Sequence, residues 1–287
     1  MTNMIWLFIF ITCVYASEVD VNIIGGTEVP ESNLDYRAIV SLQRKTNKGF
    51  KHSCGGTLVS PTWVMTAGHC VKYDAPERIR LGSYDNTKNG YVRKAKKVVR
   101  HPNYYSTTND IALIKLDKAV NDIRPMSIDI NGKFSKDGTV IKSIGWGYTK
   151  EGSGLTVQKL REVDLEILNH KECSKKYGGN AINEEAMLCT WGEWNKKTGQ
   201  RNDACSGDSG SPNFFYNKDT HDTILVGITS WGRGCGRKDI PGVTTRVSTY
   251  TNWIKNIVTD MGKGDDVEIT QAPTFKPTPE PTRIPDM

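Results

Sequence analysis

Long apolar segments are almost absent from this chain, and the one clear example lies at its beginning. Ile5–Ile11 is unbroken and apolar, but it is too short to form a stable membrane span. Val14-Tyr15-Ala16 then places small or compatible residues at the positions that a signal peptidase requires. We therefore predict a secretory signal peptide over residues 1–16, although no positive charge precedes the apolar run. No later segment approaches the length of a membrane helix, so the mature chain is expected to be secreted, extracellular and without a membrane span.

Cysteine pairs of the Cys-x-x-Cys type are also absent, which argues against a structural zinc site. Neither a metal nor a cofactor is predicted. The chain has no Asn-x-Ser/Thr sequence, so no N-linked glycan is expected. Of its 7 cysteines, Cys13 lies in the predicted signal. The others are even in number, which predicts disulfides in an exported chain but leaves many pairings open; they are Cys54, Cys70, Cys173, Cys189, Cys205 and Cys235.

A strong excess of one charge is lacking as well. The chain has 38 Lys and Arg residues against 32 Asp and Glu residues, for a formal net charge of +6. The basic residues are spread along the chain, so no nucleic-acid partner is predicted. The densest basic run, Arg93–Lys97, is interpreted as a solvated face in preference to an anion-binding patch.

No long helical pattern separates the strand-like segments, which excludes an alternating α/β organisation. Short runs rich in Val, Ile, Thr and Leu recur between turn signals and predict an antiparallel all-β domain. These runs are Ala38–Gln43, Gly56–Ser60, Val64–Ala67, Ile111–Leu116, Thr139–Gly145, Thr223–Ser230 and Gly242–Val247. One helix is predicted near the end, with Ser248 as its N-cap and an apolar face formed by Tyr250, Trp253, Ile254, Ile257, Val258 and Met261.

The composition changes at both ends of this β-rich region. Ser17–Asn22 is a short polar piece that follows the predicted signal. Residues 262–287 contain five prolines, several threonines and few large apolar residues. Such a segment cannot bury enough surface to offset its ordering entropy, so we predict an extended tail. A passive tail is favoured over one that tethers the enzyme to a partner. The folded domain is therefore expected over residues 23–261.

The chemistry centres on Asp203–Pro212, where two glycines flank a serine. A serine hydroxyl is a poor nucleophile at neutral pH, and it needs a neighbouring base and hydrogen-bond donors for an oxyanion. Gly207 and Gly210 leave the backbone open, so the N–H groups of Gly207 and Ser209 could converge on one point. Taken alone, this stretch is equally well explained as a surface turn.

Two other stretches supply a base and an acid. Val64–Cys70 ends a β-type run with His69, and Asn109–Leu116 places Asp110 at the start of an apolar strand. Each residue alone has a more ordinary structural explanation. In the chain order His69, Asp110, Ser209, however, the three motifs resemble the trypsin/chymotrypsin family of serine proteases.

The resemblance extends from Ile23 to about Met261. It implies two packed six-stranded antiparallel β-barrels with the active site in the cleft and a C-terminal α-helix against one flank. Cys54–Leu58, Gly145-Trp146-Gly147 and Ser230-Trp231-Gly232 fall where the family has similar motifs. It also implies one pairing of the cysteines, namely Cys54–Cys70, Cys173–Cys189 and Cys205–Cys235.

The resemblance implies a mechanism for peptide hydrolysis. His69 takes the proton of Ser209 as the serine attacks a peptide carbonyl, and then gives it to the leaving amine. Asp110, helped by the hydroxyl of Ser230, fixes the tautomer of the imidazole. The N–H groups of Gly207 and Ser209 hold the oxyanion of the intermediate that leads to an acyl-enzyme.

The implied substrate-binding residues are Asp203, Ala204, Ser230, Trp231, Gly232 and Gly242. Asp203 matches the pocket floor of trypsin-like members, and the two glycines match its walls. A buried carboxylate there selects cationic side chains. Because Ala204 offers no hydroxyl, where many trypsins have serine, cleavage after Arg is expected to be favoured over cleavage after Lys.

Activation is implied by Ile23-Ile24-Gly25-Gly26, which resembles the new N-terminus of the family after propeptide removal. The freed ammonium of Ile23 is expected to pair with Asp208 and order the pocket. Residues 17–22 are then a short propeptide. Asn22 stands where trypsin-like zymogens usually carry Arg or Lys, so we expect an activating protease of a different specificity, such as an asparagine-specific endopeptidase.

The chain departs from the family pattern at four places. Ser211 replaces a glycine, and its Cβ is expected to crowd the barrel behind the nucleophile. The insert Trp191–Arg201 is expected to border the pocket, and Thr244 replaces an aromatic residue at the back of the pocket. After Leu81-Gly82, a serine and a basic run stand in place of paired acids, so calcium is not expected.

Two alternatives accompany the protease interpretation. One is a catalytically silent binding protein with the protease fold, which would usually lack one of the residues retained here. The other is an active enzyme whose main role is adhesion through the tail or the insert. The predicted partners are protein or peptide substrates with Arg or Lys, protein protease inhibitors and an activating protease, and the enzyme is expected to be a monomer.

Overall fold

The computed structural model describes residues 23–179 and 181–260. The predicted signal peptide (1–16), propeptide (17–22) and tail (262–287) lie outside these residues. The described chain is mostly β. The first nine strands are β1 (Thr27–Glu28), β2 (Ile39–Thr46), β3 (Gly49–Ser60), β4 (Trp63–Thr66), β5 (Arg78–Leu81), β6 (Tyr91–Arg93), β7 (Ala95–Arg100), β8 (Ala112–Leu116) and β9 (Ser127–Ile128). The remaining strands are β10 (Val140–Gly145), β11 (Arg161–Ile167), β12 (Met187–Trp191), β13 (Trp194–Asn195), β14 (Gln200–Arg201), β15 (Pro212–Asn217), β16 (Asp222–Trp231) and β17 (Gly242–Arg246).

The first half of the chain forms one antiparallel sheet with the strand order β6-β5-β2-β3-β4-β8-β7. The sheet curls into a half-barrel around an apolar core, and β2 and β4 have continuous runs of buried residues. Trp63, Leu58 and Ile79 are among the largest fully buried side chains of this half. Strand β8 is almost continuously apolar because both of its faces are covered.

The second half closes into a six-stranded barrel. Its strands follow the order β11-β10-β15-β16-β17-β12, and β12 also pairs with β11, which completes the ring. Strand β1, from the start of the described chain, pairs with β11 and so joins the two halves. The predicted two-barrel fold is confirmed, and each of the seven predicted β runs overlaps one of these strands.

Two α-helices are present in the described chain: α1 (His170–Tyr177) and α2 (Thr251–Asp260). Helix α2 lies where a helix was predicted, but Ser248 is not its N-cap. Ser248 belongs to a preceding 3-10 turn, Val247–Tyr250, and α2 begins after it. Among the described residues, neither helix is long and apolar enough to cross a membrane.

Helix α1 was not predicted from the sequence. The side chain of Asn169 caps its first turn by accepting hydrogen bonds from two backbone N–H groups. Gly178 ends it with a φ of 86°, a left-handed conformation that glycine adopts without strain. Only Cys173 and Tyr177 of its residues are buried, so the apolar stripe is too narrow to be recognised in the sequence.

Three disulfides brace the loops around the cleft. They are Cys54–Cys70, Cys173–Cys189 and Cys205–Cys235, with Cα–Cα distances of 6.1, 6.2 and 5.3 Å. This is the pairing that the family resemblance implied. The first fixes the turn that follows β4, and the third joins the turn before β15 to the loop after β16.

Candidate active site

Two neighbouring strands bring His69 and Asp110 together. His69 lies in the short 3-10 turn Gly68–Val71 just after β4, and Asp110 lies just before β8. Because β4 and β8 are antiparallel partners, the end of one strand meets the beginning of the other. Nδ1 of His69 lies 2.8 Å from Oδ2 of Asp110, and the backbone N–H of His69 donates to Oδ1 at 2.8 Å. Both carboxylate oxygens therefore hold the histidine.

The carboxylate is buried, whereas the imidazole reaches solvent. Asp110 is 1% exposed, and the side chain of His69 is 32% exposed. Oδ2 of Asp110 also accepts a hydrogen bond from Oγ of Ser230, at 2.5 Å. With Nδ1–H directed to the carboxylate, the neutral imidazole has its acceptor at Nε2, on the side of the cleft.

Ser209 lies on the same face of the molecule as His69. The carbonyl oxygen of Ser209 accepts a hydrogen bond from the N–H of Gly55, at 2.8 Å. Sγ of Cys70 lies 3.6 Å from that oxygen and 3.8 Å from Nε2 of His69. The Cys54–Cys70 disulfide thus lies between the backbone of the serine and the imidazole, and the structure brings all three predicted residues to one site.

Two N–H groups of the serine turn remain unused. The carbonyl of Ser206 accepts from Tyr148, and the carbonyl of Asp208 accepts from Ser211. Since a trans peptide directs its C=O and N–H in opposite directions, the N–H groups of Gly207 and Ser209 point away from these contacts. Within the described residues neither N–H donates a hydrogen bond. The turn therefore presents two donors of the kind that an oxyanion requires.

The turn needs glycine at position 207. Gly207 has a φ of 98°, and a Cβ there would approach Gly147 and Thr156 to 3.0 Å. A residue with a side chain would be strained in this conformation and would also displace both neighbours. The glycine is thus required by the backbone itself.

A histidine that was not singled out in the sequence supports the same turn. His52 is buried, its Nδ1 lies 2.8 Å from Oγ of Ser41, and its Nε2 lies 2.9 Å from the carbonyl oxygen of Gly207. Burial lowers the pKa of His52 to about 4, and the hydrogen bond with Gly207 only partly opposes this. Neutral His52 therefore fixes the Gly207 carbonyl.

Asp208 is fully buried beside the serine. Oδ1 accepts from the N–H of Gly147 at 2.7 Å, and Oδ2 accepts from the N–H of Cys205 at 2.9 Å. A Cβ at Gly145 or Gly147 would lie 2.2–2.3 Å from the carboxylate, so only glycine leaves room for it. Burial raises the pKa of Asp208 to about 6, against the effect of the two N–H donors. No cation pairs with Asp208 among the described residues.

The segment that begins at Ile23 packs into the second barrel. Ile23 is fully buried in an apolar cluster with side chains such as Val163 and Leu188. The carbonyl of Ile24 accepts a hydrogen bond from the N–H of Asp203, at 3.0 Å. In the full-length chain the nitrogen of Ile23 is a peptide nitrogen and carries no charge.

All six predicted substrate-binding residues line one cavity of about 200 Å³, together with Ser209. Asp203 is buried, and its Oδ2 accepts from the N–H of Gly236 at 2.8 Å. A Cβ at Gly242 would lie 3.0 Å from Oδ1 of Asp203, so its absence keeps the carboxylate accessible. Burial, with a smaller contribution from the charge of Asp208, raises the pKa of Asp203 to about 7.

The rear wall of the cavity is polar. Of the residues that form this wall, the sequence indicated only Thr244. Nδ2 of Asn213 donates to Oγ1 of Thr229 at 2.9 Å and to Oγ1 of Thr244 at 3.3 Å. These residues come from β15, β16 and β17, and each lines the cavity, as does Thr190. Within the described chain, Oδ1 of Asn213 has no hydrogen-bond partner. A polar residue at an inward-facing strand position is the signal that could have identified this wall.

Ser211 fits its position because its neighbours are glycines. A Cβ at Gly55 would lie 1.8 Å from Oγ of Ser211, and one at Gly145 would lie 2.9 Å from it. The expected crowding is thus relieved by two residues that have no side chain. Oγ of Ser211 is buried and has no hydrogen-bond partner in the described chain.

The insert lies outside the cavity. Strands β13 and β14 form a small hairpin, and none of residues 191–201 lines the pocket. The hairpin contacts the loop behind the floor, because Arg201 donates its N–H to the carbonyl of Gly236 at 2.8 Å. The guanidinium of Arg201 also stacks on the ring of Trp191, 3.9 Å from its centre.

Among the described residues, the one cluster of candidate metal ligands is Cys54, His69 and Cys70. Both sulfurs are joined in a disulfide, so they offer no thiolate to a metal. A half-buried imidazole held by a buried carboxylate, beside a glycine-flanked serine and an acidic pocket on a two-barrel framework, defines a serine peptidase.

Comparisons with known proteins agree with this class. A protein-family model described as trypsin matches residues 23–254. The chain is 34% identical to trypsin 5G1 of Aedes aegypti over 241 residues, which cover 82% of this chain and 84% of that protein. It is 35% identical to trypsin II-P29 of Gallus gallus over 267 residues (88% and 98% covered). It is 36% identical to the trypsin of Squalus acanthias over 256 residues (86% and 100% covered).

The chain therefore belongs to the trypsin family, and it is a serine endopeptidase. These relatives give no support to a catalytically silent binding protein.

Proposed function

We propose that the chain is a secreted endopeptidase, made as a zymogen, that cleaves peptide bonds after arginine and less readily after lysine. One observation carries the specificity. The buried carboxylate of Asp203 and the nucleophile candidate Ser209 line the same cavity. A side chain that enters from Ser209 therefore meets a negative group, which a guanidinium or ammonium would pair with and an apolar side chain would leave unpaired.

The reaction proceeds in two halves. His69 accepts the hydroxyl proton of Ser209 as Oγ bonds to the substrate carbonyl carbon, and a tetrahedral oxyanion forms. His69 then gives that proton to the amine, the C–N bond breaks, and the acyl group stays on Ser209. Water next attacks the acyl carbon and gives a proton to His69. Collapse of the second intermediate returns the proton to Oγ and releases the acid.

Asp110 and the serine turn stabilise the charges that appear during this cycle. The imidazolium that forms on His69 lies against the carboxylate of Asp110, which is itself held by Ser230. The two unused N–H groups of Gly207 and Ser209 receive the oxyanion. Removing one such donor typically costs about 10²–10³ in turnover.

Arginine is favoured over lysine for a chemical reason. Guanidinium offers several N–H donors in a fixed plane, whereas ammonium is a compact charge that depends on nearby hydroxyls. Ala204 has no hydroxyl next to Asp203. The hydroxyls of Thr190, Thr229 and Thr244 lie in the cavity wall and not on the residue next to Asp203.

Activation begins when a protease cleaves after Asn22. The new ammonium of Ile23 then pairs with Asp208, whose carboxylate is buried and has no cation beside it among the described residues. Breaking a buried pair of this kind costs about 3–5 kcal/mol, so the uncleaved chain is nearly inactive. Because Asn22 is neither Arg nor Lys, the enzyme does not activate itself.

The proposed setting is extracellular, because the apolar run and the small residues within residues 1–16 resemble a secretory signal peptide. The partners are protein substrates, protein inhibitors that occupy the same cavity, and the activating protease. We propose a monomer, which is consistent with one chain supplying His69, Asp110 and the Asp203 cavity.

The experiment that tests the function uses the secreted chain with Ile23 verified as its first residue. We expect an organophosphonate to label Ser209 and a peptide library to be cleaved after Arg, then Lys. The Ser209→Ala variant should lose about a millionfold in turnover, and Ser153→Ala, an exposed serine, should lose nothing. A preference for Phe would contradict the role of Asp203, absence of labelling would contradict catalysis, and a mature chain starting at Ser17 would contradict the activation scheme.

A further inference from the structure

The first barrel contains a long stretch without a single acid. No Asp or Glu occurs from residue 36 to residue 73, whereas six lysines and arginines do: Arg37, Arg44, Lys45, Lys48, Lys51 and Lys72. Three of them, Lys45, Lys48 and Lys51, lie on the hairpin that joins β2 to β3 and are exposed. We call these three residues the lysine hairpin.

The lysine hairpin is not neutralised by the rest of the described chain. None of its ammonium groups forms an ion pair with a described residue. Arg44, which lies opposite Lys51, binds the carbonyl oxygens of Ala75 and Asp74 and lies 4.0 Å from Glu77. A further cation lies against the hairpin, since the guanidinium of Arg78 stacks on Phe50 at 3.7 Å.

The same hairpin is anchored at the catalytic centre. Arg44 donates from Nη2 to the carbonyl oxygen of Cys70, the residue after His69, at 3.1 Å. Strand β3 continues from Lys51 to His52, which contacts the carbonyl of Gly207. The lysine hairpin is therefore anchored beside His69, whereas the Asp203 cavity is lined by Ser209 and not by His69.

The direction of a bound substrate follows from the proposed mechanism. The arginine before the scissile bond occupies the Asp203 cavity. The leaving amine takes its proton from His69, so the segment that follows the scissile bond lies on the side of His69 and the Cys54–Cys70 disulfide. That segment must pass the lysine hairpin to leave the cleft.

We propose that the lysine hairpin selects substrates with Asp or Glu at the second to fourth positions after the scissile bond. Distances agree with this range. A strand advances about 3.3 Å per residue, so the start of β3 at Gly49, next to Lys48, lies roughly 10 Å along the strand from His52, and three extended substrate residues span the same length. The Debye length at physiological ionic strength is about 8 Å, so a carboxylate at these positions is within reach of the lysines.

This inference rests on the proposed function, and its test separates the two. Two quenched peptides share one arginine and differ only after the scissile bond, where Asp-Glu-Asp in one is Asn-Gln-Asn in the other. The activated enzyme is expected to give a kcat/KM about tenfold higher for the acidic peptide at low salt. A small chromogenic arginine substrate, which has no residues after the scissile bond, reports the proposed function alone.

The decisive variant carries Lys45→Gln, Lys48→Gln and Lys51→Gln. It is expected to bring the acidic-to-neutral ratio close to one, and raising the salt to about 0.5 M should do the same to the wild-type enzyme. The matched control carries Lys171→Gln, Lys175→Gln and Lys218→Gln, three exposed lysines elsewhere, and should keep the wild-type ratio.

Three outcomes overturn the inference. One is a wild-type ratio near one while the chromogenic substrate is cleaved. Another is an equal fall in the acidic-to-neutral ratio in both triple variants, which would indicate that the net charge of the enzyme attracts acidic peptides wherever the lysines lie. The third is a hairpin variant that no longer binds a sulfated polysaccharide column but keeps the wild-type acidic-to-neutral ratio. That result would indicate that the lysine hairpin binds a polyanion and does not select substrates.

Discussion

Ser230 donates a hydrogen bond from Oγ to Oδ2 of Asp110 at 2.5 Å and also lines the cavity above Asp203. The wall of the Asp203 cavity is thereby joined to the carboxylate that holds His69. In the proposed mechanism, substrate binding and orientation of the base therefore share one hydroxyl group.

Ser230→Ala should lower kcat/KM by about tenfold to a hundredfold, because a hydrogen bond to a charged group contributes about 1.5–3 kcal/mol. Steady-state kinetics with an arginine substrate provide the measurement. Ser143→Ala is the matched control, since Oγ of Ser143 is buried without a partner in the described chain. Equal kinetics in both variants would contradict a role for the Ser230 bond.

The pKa of Asp203, raised to about 7 in the free pocket, makes cation binding depend on pH. Protonated Asp203 has no charge to offer, so the Kd of benzamidine should rise about tenfold per pH unit below 7. Calorimetry on the Ser209→Ala variant measures this without interference from catalysis. Asp203→Asn should bind weakly at every pH, and a wild-type Kd that is constant from pH 5 to 8 would refute the prediction.

Asp208 should make the uncleaved chain less stable as the pH rises. Its folded pKa of about 6 lies above the ordinary value of 3.8, so its contribution to stability is complete below pH 3.8 and is lost as the pH rises through 6. The loss amounts to about 3 kcal/mol, at about 1.4 kcal/mol per pKa unit.

Denaturant unfolding of the uncleaved chain from pH 4 to 7 tests this effect against Asp208→Asn, which should lose stability less steeply because only Asp203, with its pKa raised to about 7, still contributes. Cleavage after Asn22 should remove the loss, because the Ile23 ammonium then compensates the carboxylate. The same pH slope in the cleaved and uncleaved chains would count against pairing of Ile23 with Asp208.

His52 predicts the opposite pH dependence. Its folded pKa of about 4 lies below the ordinary 6.5, so stability is complete above pH 6.5 and is lost as the pH falls through 4. His52→Gln should remove this acid sensitivity, which unfolding curves at pH 4 and 7 would reveal. It should also lower kcat more than it raises KM, since the Gly207 carbonyl is held less firmly. An unchanged kcat would argue against that support.

Ser211→Ala should raise the free energy of unfolding by about 1 kcal/mol. A buried hydroxyl without a partner carries a desolvation cost of about 1–3 kcal/mol, and alanine keeps the Cβ that fills the space beside Gly55 and Gly145. Thermal unfolding supplies the measurement. Gly55→Ala is the informative counterpart, because its Cβ would collide with Ser211 and should destabilise the enzyme.

The framework was readable from the sequence because its signals are local. Runs such as Ile111–Leu116 combine β-branched and apolar residues, and they become strands wherever both faces are covered. The position of His69, Asp110 and Ser209 in one site did not follow from periodicity. It came from the resemblance of three separated motifs to one family.

What the sequence left unseen depends on contacts between distant strands. His52 belongs to no recognisable motif in the sequence, and only the fold shows that its side chain contacts the carbonyl of Gly207. Asn213 and Thr229 look like ordinary strand residues until β15, β16 and β17 turn them toward one cavity. Ser211 was expected to be crowded because the sequence does not show which residues surround it. Its neighbours Gly55 and Gly145, which leave room for its side chain, lie far away in the sequence.

Beside the nucleophile, a backbone hydrogen bond from the N–H of Gly55 to the carbonyl of Ser209 crosses between the two halves of the molecule. Gly55 lies in β3 of the first half, and Ser209 lies in the turn before β15 of the second half. A small rotation of one half against the other would therefore strain this hydrogen bond. The backbone position of Ser209 therefore depends on the relative orientation of the two halves. A polypeptide substrate long enough to contact both halves would restrict that orientation and so help to fix the position of Ser209.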